Sequence, residues 1–262
     1  MKTRLLAPPA LSLRFAAVWR RHFLVWRKLA IPSILGNLAD PLIMLFGLGY
    51  GLGSVLGNNV GGASYFAFLA GGFLGTATMM AASFEALFSA FSRMHVQKTW
   101  EAIVNAPMTL DDVLAGEWVW AATKALSAGL CMLAVVAVVG YASFPNSLAA
   151  IPVLALVGLA FGGLGLCVNA LATGYDFFSY YMTLLLTPMM LLSGVFFPIE
   201  PLPHAIRLIA EALPLYHGIE LMRPLLAGGW PSNVLGHVAV LVAYALGGFY
   251  VATVLTRRRL LL

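Results

Sequence analysis

Charge is scarce in this chain: only 10% of its 262 residues are Asp, Glu, Lys or Arg, where a soluble domain carries roughly a quarter. So few charged side chains cannot cover a water-exposed globule of this size, which excludes a water-soluble enzyme. Cysteine is limited to Cys131 and Cys167, each in the middle of an apolar run. Neither a disulfide framework nor a metal site is expected from them, and both are read as free, buried thiols. The five histidines show no metal-ligand spacing, so no metal site is assigned. The phosphate-cradling pattern G-x-x-x-x-G-K-[ST] is missing, and Gly47, Gly49, Gly51 and Gly53 lie in an apolar stretch with no strand before them. No cofactor is therefore expected on this chain. What is abundant is apolar sequence, at 61% of residues. Six bilayer crossings of about 20 residues each would use roughly 120 of them, and a polytopic membrane protein fits.

Six apolar stretches, at 31–53, 65–91, 117–142, 148–172, 177–197 and 233–256, are each long enough to cross a bilayer as a helix. The expected fold is therefore all-α, a single transmembrane domain over 1–262 with six transmembrane helices. Seven Lys or Arg residues precede the first stretch, two lie between the second and third, and three follow the sixth. The region between the fifth and sixth has two, and the other connections have none. This distribution places both termini in the cytoplasm, and it accounts for the net charge of +5 without a nucleic-acid partner. Lys2 and Arg4 imitate the start of a signal peptide, but Pro8, Pro9, Arg14, Arg20 and Arg21 interrupt any apolar core, so no cleaved leader is expected.

Residues 10–29 read as an amphipathic helix lying in the membrane interface. Phe15, Trp19, Phe23, Trp26 and Ala30 fall on one side, with Arg14, Arg20, Arg21, Arg27 and Lys28 on the other, suited to anionic lipid. The outer connections are Asn58 to Ser64, Ser143 to Ser147 and the long Pro198 to Ser232. The last contains Pro198, Pro201, Pro203, Pro214, Pro224 and Pro231, with helical runs at 205–213 and 216–222 meeting at Pro214. These two short helices are either re-entrant or an external cap, since backbone at membrane depth must be buried in protein. The inner segment 92–116 carries Arg93, Lys98, Glu101, Asp111 and Asp112. It predicts a short helix over 100–105 and a second helix N-capped by Thr109.

Three stretches together resemble the membrane subunit of type-2 ABC transporters. They are Trp100-Glu101-Ala102-Ile103-Val104-Asn105-Ala106-Pro107 with Gly116-Glu117; Leu186-Thr187-Pro188 through Ser193-Gly194 to Pro198; and Leu202-Pro203 through Leu213-Pro214-Leu215-Tyr216 to Glu220-Leu221-Met222-Arg223. Chain length and Gly116-Glu117-Trp118 lean toward the lipo-oligosaccharide exporter permeases of the NodJ type. The resemblance implies a homodimer in the bacterial inner membrane with a substrate path between the subunits. It also implies two copies of a separate ABC ATPase subunit that carry the ATP and Mg, and a coupling element at Trp100, Glu101, Pro107, Gly116 and Glu117. Many relatives have Lys where this chain has Glu117. The motif residues carried over are Pro188, Ser193, Gly194, Pro198, Pro214 and Arg223. Phe46, Tyr50, Phe177, Phe178, Tyr180 and Tyr181 are candidates to line the path, stacking on sugars or holding acyl chains, with simple packing as the other reading. A drug-efflux permease of the same family is the alternative cargo class.

Ionisable residues inside spans are costly and are read one by one. Asp40 precedes Pro41 and serves either as a local helix cap or as a path residue. Glu85, within a turn or two of Arg93, is read as part of an interface or inter-helix ion pair rather than a proton relay, and Lys124 is expected to snorkel toward the inner surface. Gly47 to Gly53 and the pairs Gly71/Gly75 and Gly158/Gly162 suit close helix packing. Ser193-Gly194 and His237 superficially suggest an intramembrane serine protease, but Leu191 stands where the nucleophile elbow needs glycine. A channel would need a polar stripe that no span presents.

Overall fold

The computed structural model describes residues 6–56 and 64–261. The expected outer connection at 58–64 lies almost wholly outside the described residues, as do Lys2 and Arg4. Every regular element among the described residues is helical. In chain order they are α1 (Phe15–Trp26), α2 (Ala30–Phe46, continuing through a wide turn at Gly47–Leu52), and α3 (Tyr65–Phe84, continuing to Val96). Then come α4 (Thr99–Val104), α5 (Leu110–Val138), α6 (Ala150–Leu171), α7 (Asp176–Leu192), α8 (His204–Ala212), α9 (Pro214–Leu226) and α10 (Val234–Leu261).

Among the described residues, five helical segments are long and apolar enough to cross a membrane, and they correspond to the first, second, third, fourth and sixth expected spans. The fifth is shorter. Expected over 177–197, it runs Asp176–Leu192, about 25 Å at 1.5 Å per residue. It stops there because Gly194 takes φ of 77°, a left-handed turn that ends the helix.

The centre of the bundle is α3. Seventeen of the 20 residues in Tyr65–Phe84 are buried, and a helix that is apolar all round is one packed on all sides. Its neighbours are α2, α5, α6 and α9. Close approach is a matter of missing side chains: a Cβ on Gly72 would meet the Val195 carbonyl oxygen at 2.7 Å, and one on Gly158 would meet Ala125 Cβ at 2.9 Å. Gly71 and Gly75 likewise lie against Arg223 and Ile219. The expectation fails for Gly47 and Gly51, which have open space around them. Among those four glycines, only Gly49 is truly crowded, by the Phe66 ring. Gly163 and Gly248, on α6 and α10, bring two backbones together and carried no spacing signal. Cys131 and Cys167 are free thiols, partly rather than fully buried.

Two expectations at the N-terminal side need correction. The amphipathic helix begins at Phe15, not residue 10, and joins α2 through a tight turn at Arg27–Leu29, so that 15–55 is one long helical segment. Its inward face is centred on Val18 and His22, with Phe23 exposed, because α1 packs on α5 and not only on the interface. The helix capped by Thr109 is not a separate inner helix either. Thr109 is the expected N-cap, and Asp112 returns the bond to make the cap reciprocal, but the helix continues without a break as α5.

The two ends of the bundle are distinct. At one end the Arg257 guanidinium binds Asp111 and the Ala7 carbonyl, the Ala10 amide donates to Asp111 at 2.8 Å, and Arg259 caps the Asn169 and Ala170 carbonyls. Residues near both termini meet the start of α5 and the end of α6 here. At the other end the 143–146 turn bonds Leu226 and Gly228, so it lies with the 198–232 segment. Helix α9 is wedged against α3, α6 and α10 with nine buried residues. It is an inserted helix, not a cap resting on the surface.

Candidate functional site

The polar core of the molecule sits where α1, α3, α4 and α5 meet. Glu85 and Arg93 both belong to α3, eight residues apart. An α-helix would separate them by about 80° around its axis. The two wide turns at Glu85–Ser89 and Ser92–Val96 hold more residues per revolution and bring Arg93 back toward Glu85. Arg93 Nη2 then donates to Glu85 at 2.8 Å, and Arg93 Nε to Glu117 Oε1 at 2.9 Å. Lys124 Nζ, two turns beyond Glu117 on the same face of α5, donates to Glu85 Oε2 at 2.8 Å. Lys124 is therefore a member of the network, not a free snorkelling side chain. Two carboxylates meet two cations, which is the condition under which charges persist in a low-dielectric interior. Trp120 donates to Glu85 and Trp100 to Glu117, each at 2.9 Å, and His22 Nε2 lies 3.2 Å from Glu117.

This network divides the expected coupling residues. Glu101 and Pro107 are exposed, at the end of the bundle that carries residues near both termini. Trp100, Gly116 and Glu117 are buried. Gly116 is turned to α1, where an added Cβ would meet Val18 Cβ at 2.5 Å. Glu117 is the shared acceptor for Arg93 and Trp100, with His22 Nε2 beside it at 3.2 Å. Helix α4 is thus tied through Trp100 to the interior of α5, while its Glu101 face is free to meet a partner.

Asp40 is not a helix cap. Asp40-Pro41 lies inside α2, which continues unbroken past it. Proline at that position removes only the hydrogen bond to the Asn37 carbonyl, a loss tolerated in helices of membrane proteins. Asp40, Asn37, Met44, Thr76, Met80 and Met190 border a cavity of about 140 Å³ between α2, α3 and α7. The sequence singled out Asp40; its neighbours required the helix register. The aromatic candidates fall into separate groups. Phe46 and Tyr50 stack with centroids 5.9 Å apart beside Phe66. Phe178 is fully buried against Phe88 and Phe91, Tyr181 is buried, and Phe177 and Tyr180 face outward.

The motif residues converge at the opposite end. Arg223 on α9 donates to the Gly194 carbonyl at 2.6 Å. Burial among apolar neighbours pulls the Arg223 guanidinium down to about 10, against the pull of Glu220. Pro214 starts α9, where its missing N–H costs nothing. Pro198 is half-buried and Pro188 is exposed on α7. Ser193 is buried with its hydroxyl unpartnered, whereas His237 bonds His217. The two do not form a serine–histidine pair.

The sequence pattern of the ABC-2 type transporter family matches residues 14–226. Nodulation protein J of Rhizobium leguminosarum bv. viciae is 51% identical over 253 residues, covering 97% of each chain. Nodulation protein J of Rhizobium meliloti (strain 1021) is 48% identical over 255 residues, again 97% of each. The protein of the same name from Azorhizobium caulinodans is 35% identical over 220 residues, 84% of this chain and 86% of the relative.

Proposed function

The chain belongs to the ABC-2 type transporter family, as a multi-pass membrane subunit whose ATPase is a separate protein, and from that premise we propose that it exports a lipo-oligosaccharide across the bacterial inner membrane. In this reading two copies of the chain form the path and two ATPase subunits dock beneath them, with both termini in the cytoplasm. The observation that carries the mechanism is the Trp100–Glu117 hydrogen bond, 2.9 Å long and buried. It makes α4 a lever: force on the exposed Glu101 face reaches α5 and, through Arg93, α3. Two rigid arrangements of these helices would then open the path to one side or the other. The cargo assignment rests on the near-full-length identity with the Nodulation protein J relatives. An amphipathic cargo keeps its acyl tail in lipid while its head crosses between subunits past Asp40 and Asn37, avoiding the cost of dragging sugars through hydrocarbon.

The test is ATPase activity of the complex reconstituted with its partner. Lipo-oligosaccharide should stimulate hydrolysis, and Glu101→Arg should weaken partner binding or uncouple hydrolysis from export while the chain still inserts. Stimulation only by small hydrophobic drugs would replace the cargo with the drug-efflux alternative. Normal export and partner affinity in Glu101→Arg would remove the coupling role.

A further inference from the structure

Two adjoining cavities beside α1 have a combined chemistry that the transport reading leaves unused. The first, about 260 Å³, lies between α1, α3 and α5 and is bordered by Arg21, His22, Glu85, Ser89, Arg93 and Lys124, three cations against one carboxylate. The second, about 220 Å³, continues along α5 and is bordered by Phe23, Leu126 and Leu130. They share Trp26, Trp120 and Lys124.

The first cavity has spare donors. Lys124 spends one N–H on Glu85, leaving two of its three. The Arg93 bonds described above use Nε and Nη2, not Nη1. The exposed Arg21 guanidinium has no hydrogen-bond or ion-pair partner among the described residues. Its charge is also in excess, because Glu85 and Glu117 are already matched by Arg93 and Lys124. Arg20, exposed beside Arg21 on α1, adds to the positive potential at the rim. A cationic, donor-rich cavity suits a phosphate. The second cavity decides what the phosphate is attached to. Leu126 and Leu130 lie two and six residues beyond Lys124, so the apolar groove runs about 9 Å further along α5. That length, walled by Trp26 and Trp120, takes the upper part of an acyl chain.

We infer that the α1–α3–α5 junction is a binding site for one anionic phospholipid drawn from the surrounding bilayer, its phosphate between Arg21 and Lys124 and one chain on Leu126 and Leu130. Such a lipid would fasten α1 to the polar network and act as a structural ligand, independent of what the protein exports.

Native mass spectrometry of the full chain, purified with equal amounts of phosphatidylglycerol and phosphatidylcholine of identical chains, tests this. The expected result is about fivefold greater retention of phosphatidylglycerol per subunit. Arg21→Glu, which removes the unpaired cation, and Leu130→Trp, which fills the groove, should each bring the two lipids to parity with unchanged elution volume. Lys28→Glu, an equal charge change outside the cavity, should keep the preference. Equal retention by the wild type would overturn the site. So would an effect of Lys28→Glu equal to that of Arg21→Glu, which means general surface attraction. Displacement of phosphatidylglycerol by an equimolar uncharged lipo-oligosaccharide would assign the cavity to cargo and overturn it as well.

Discussion

Arg223 reaches the carbonyl oxygen of Gly194 at 2.6 Å while its guanidinium carbon lies 3.8 Å from the centre of the Phe68 ring. One side chain thereby holds together the end of α7, the inserted helix α9 and the central helix α3. The Gly194 carbonyl is available because φ of 77° turns the chain there, a conformation that costs glycine little. Arg223→Met keeps the stem but loses the charged hydrogen bond, worth about 2 kcal/mol. Its melting temperature in detergent should fall clearly, with Arg223→Lys between the two. A Met variant as stable as the wild type would show that the bond contributes nothing.

The packing glycines differ in what surrounds them. Gly72 faces backbone, with Val195 O and Cα at 2.7 and 2.8 Å from a built Cβ, and neither can rotate away. Gly72→Ala should therefore cost about 1–3 kcal/mol through forced separation of α3 from the Gly194 turn. Gly47→Ala, with open space around it, should be neutral or slightly stabilising. Thermal unfolding of the two variants in parallel checks the contrast; equal effects would contradict it.

What could be read from the sequence was what depends on neighbours along the chain. Thr109 and Asp112 are three residues apart and make their cap locally, and the apolar stretches set the long helices. Glu85 and Arg93 were pairable because they share one helix end. Lys124 was misread because its bond to Glu85 depends on the register of α5 against α3, which no periodicity reports. Asp40-Pro41 was weighed as a cap because that dipeptide often starts helices, whereas the length of the apolar run around it carries the helix through. Gly116 and Glu117 were grouped with the segment that carries Glu101, but their inward direction emerges only once α1 folds back over α5.

The Glu85–Arg93–Glu117–Lys124 network should behave as a unit. Glu117→Gln leaves Arg93 partly uncompensated in a buried site, and loss of one partner of such a pair costs about 3–5 kcal/mol. Glu85→Gln should also be damaging, because it strands Lys124. The double variant Glu85→Gln/Lys124→Met removes both charges and should cost at least about 1 kcal/mol less than the two single effects combined. Additive losses in the melting temperatures of the four proteins would mean that the residues act separately.

The His217–His237 pair gives the protein a pH response. The Nδ1 atoms are 2.8 Å apart, and His217 Nε2 is 2.8 Å from the Glu211 carbonyl. A carbonyl only accepts, so His217 Nε2 carries the hydrogen; its Nδ1 is then the acceptor for the His237 Nδ1–H. Burial, and then His237, hold His217 below the usual histidine range. A histidine whose folded pKa is depressed favours the native state while neutral. Its contribution is present above the unfolded value of about 6.5 and is lost as pH falls below that. A proton on His217 Nδ1 occupies the lone pair that the His237 Nδ1–H uses, and the link between α9 and α10 is lost in that arrangement. Tyr216 packs on both rings. Glu220, whose carboxyl burial pushes up, works in the opposite sense, adding stability as pH falls. Comparing proteins at the same pH removes its share. The melting temperature should hold between pH 8 and 7 and drop from pH 6.5 to 5.5. His217→Gln should melt lower at pH 8, by about 1 kcal/mol for the lost bond, yet show a shallower drop below pH 6.5. If the drop is as steep in His217→Gln as in the wild type, the acid sensitivity originates elsewhere and the pair is a pH-independent strut.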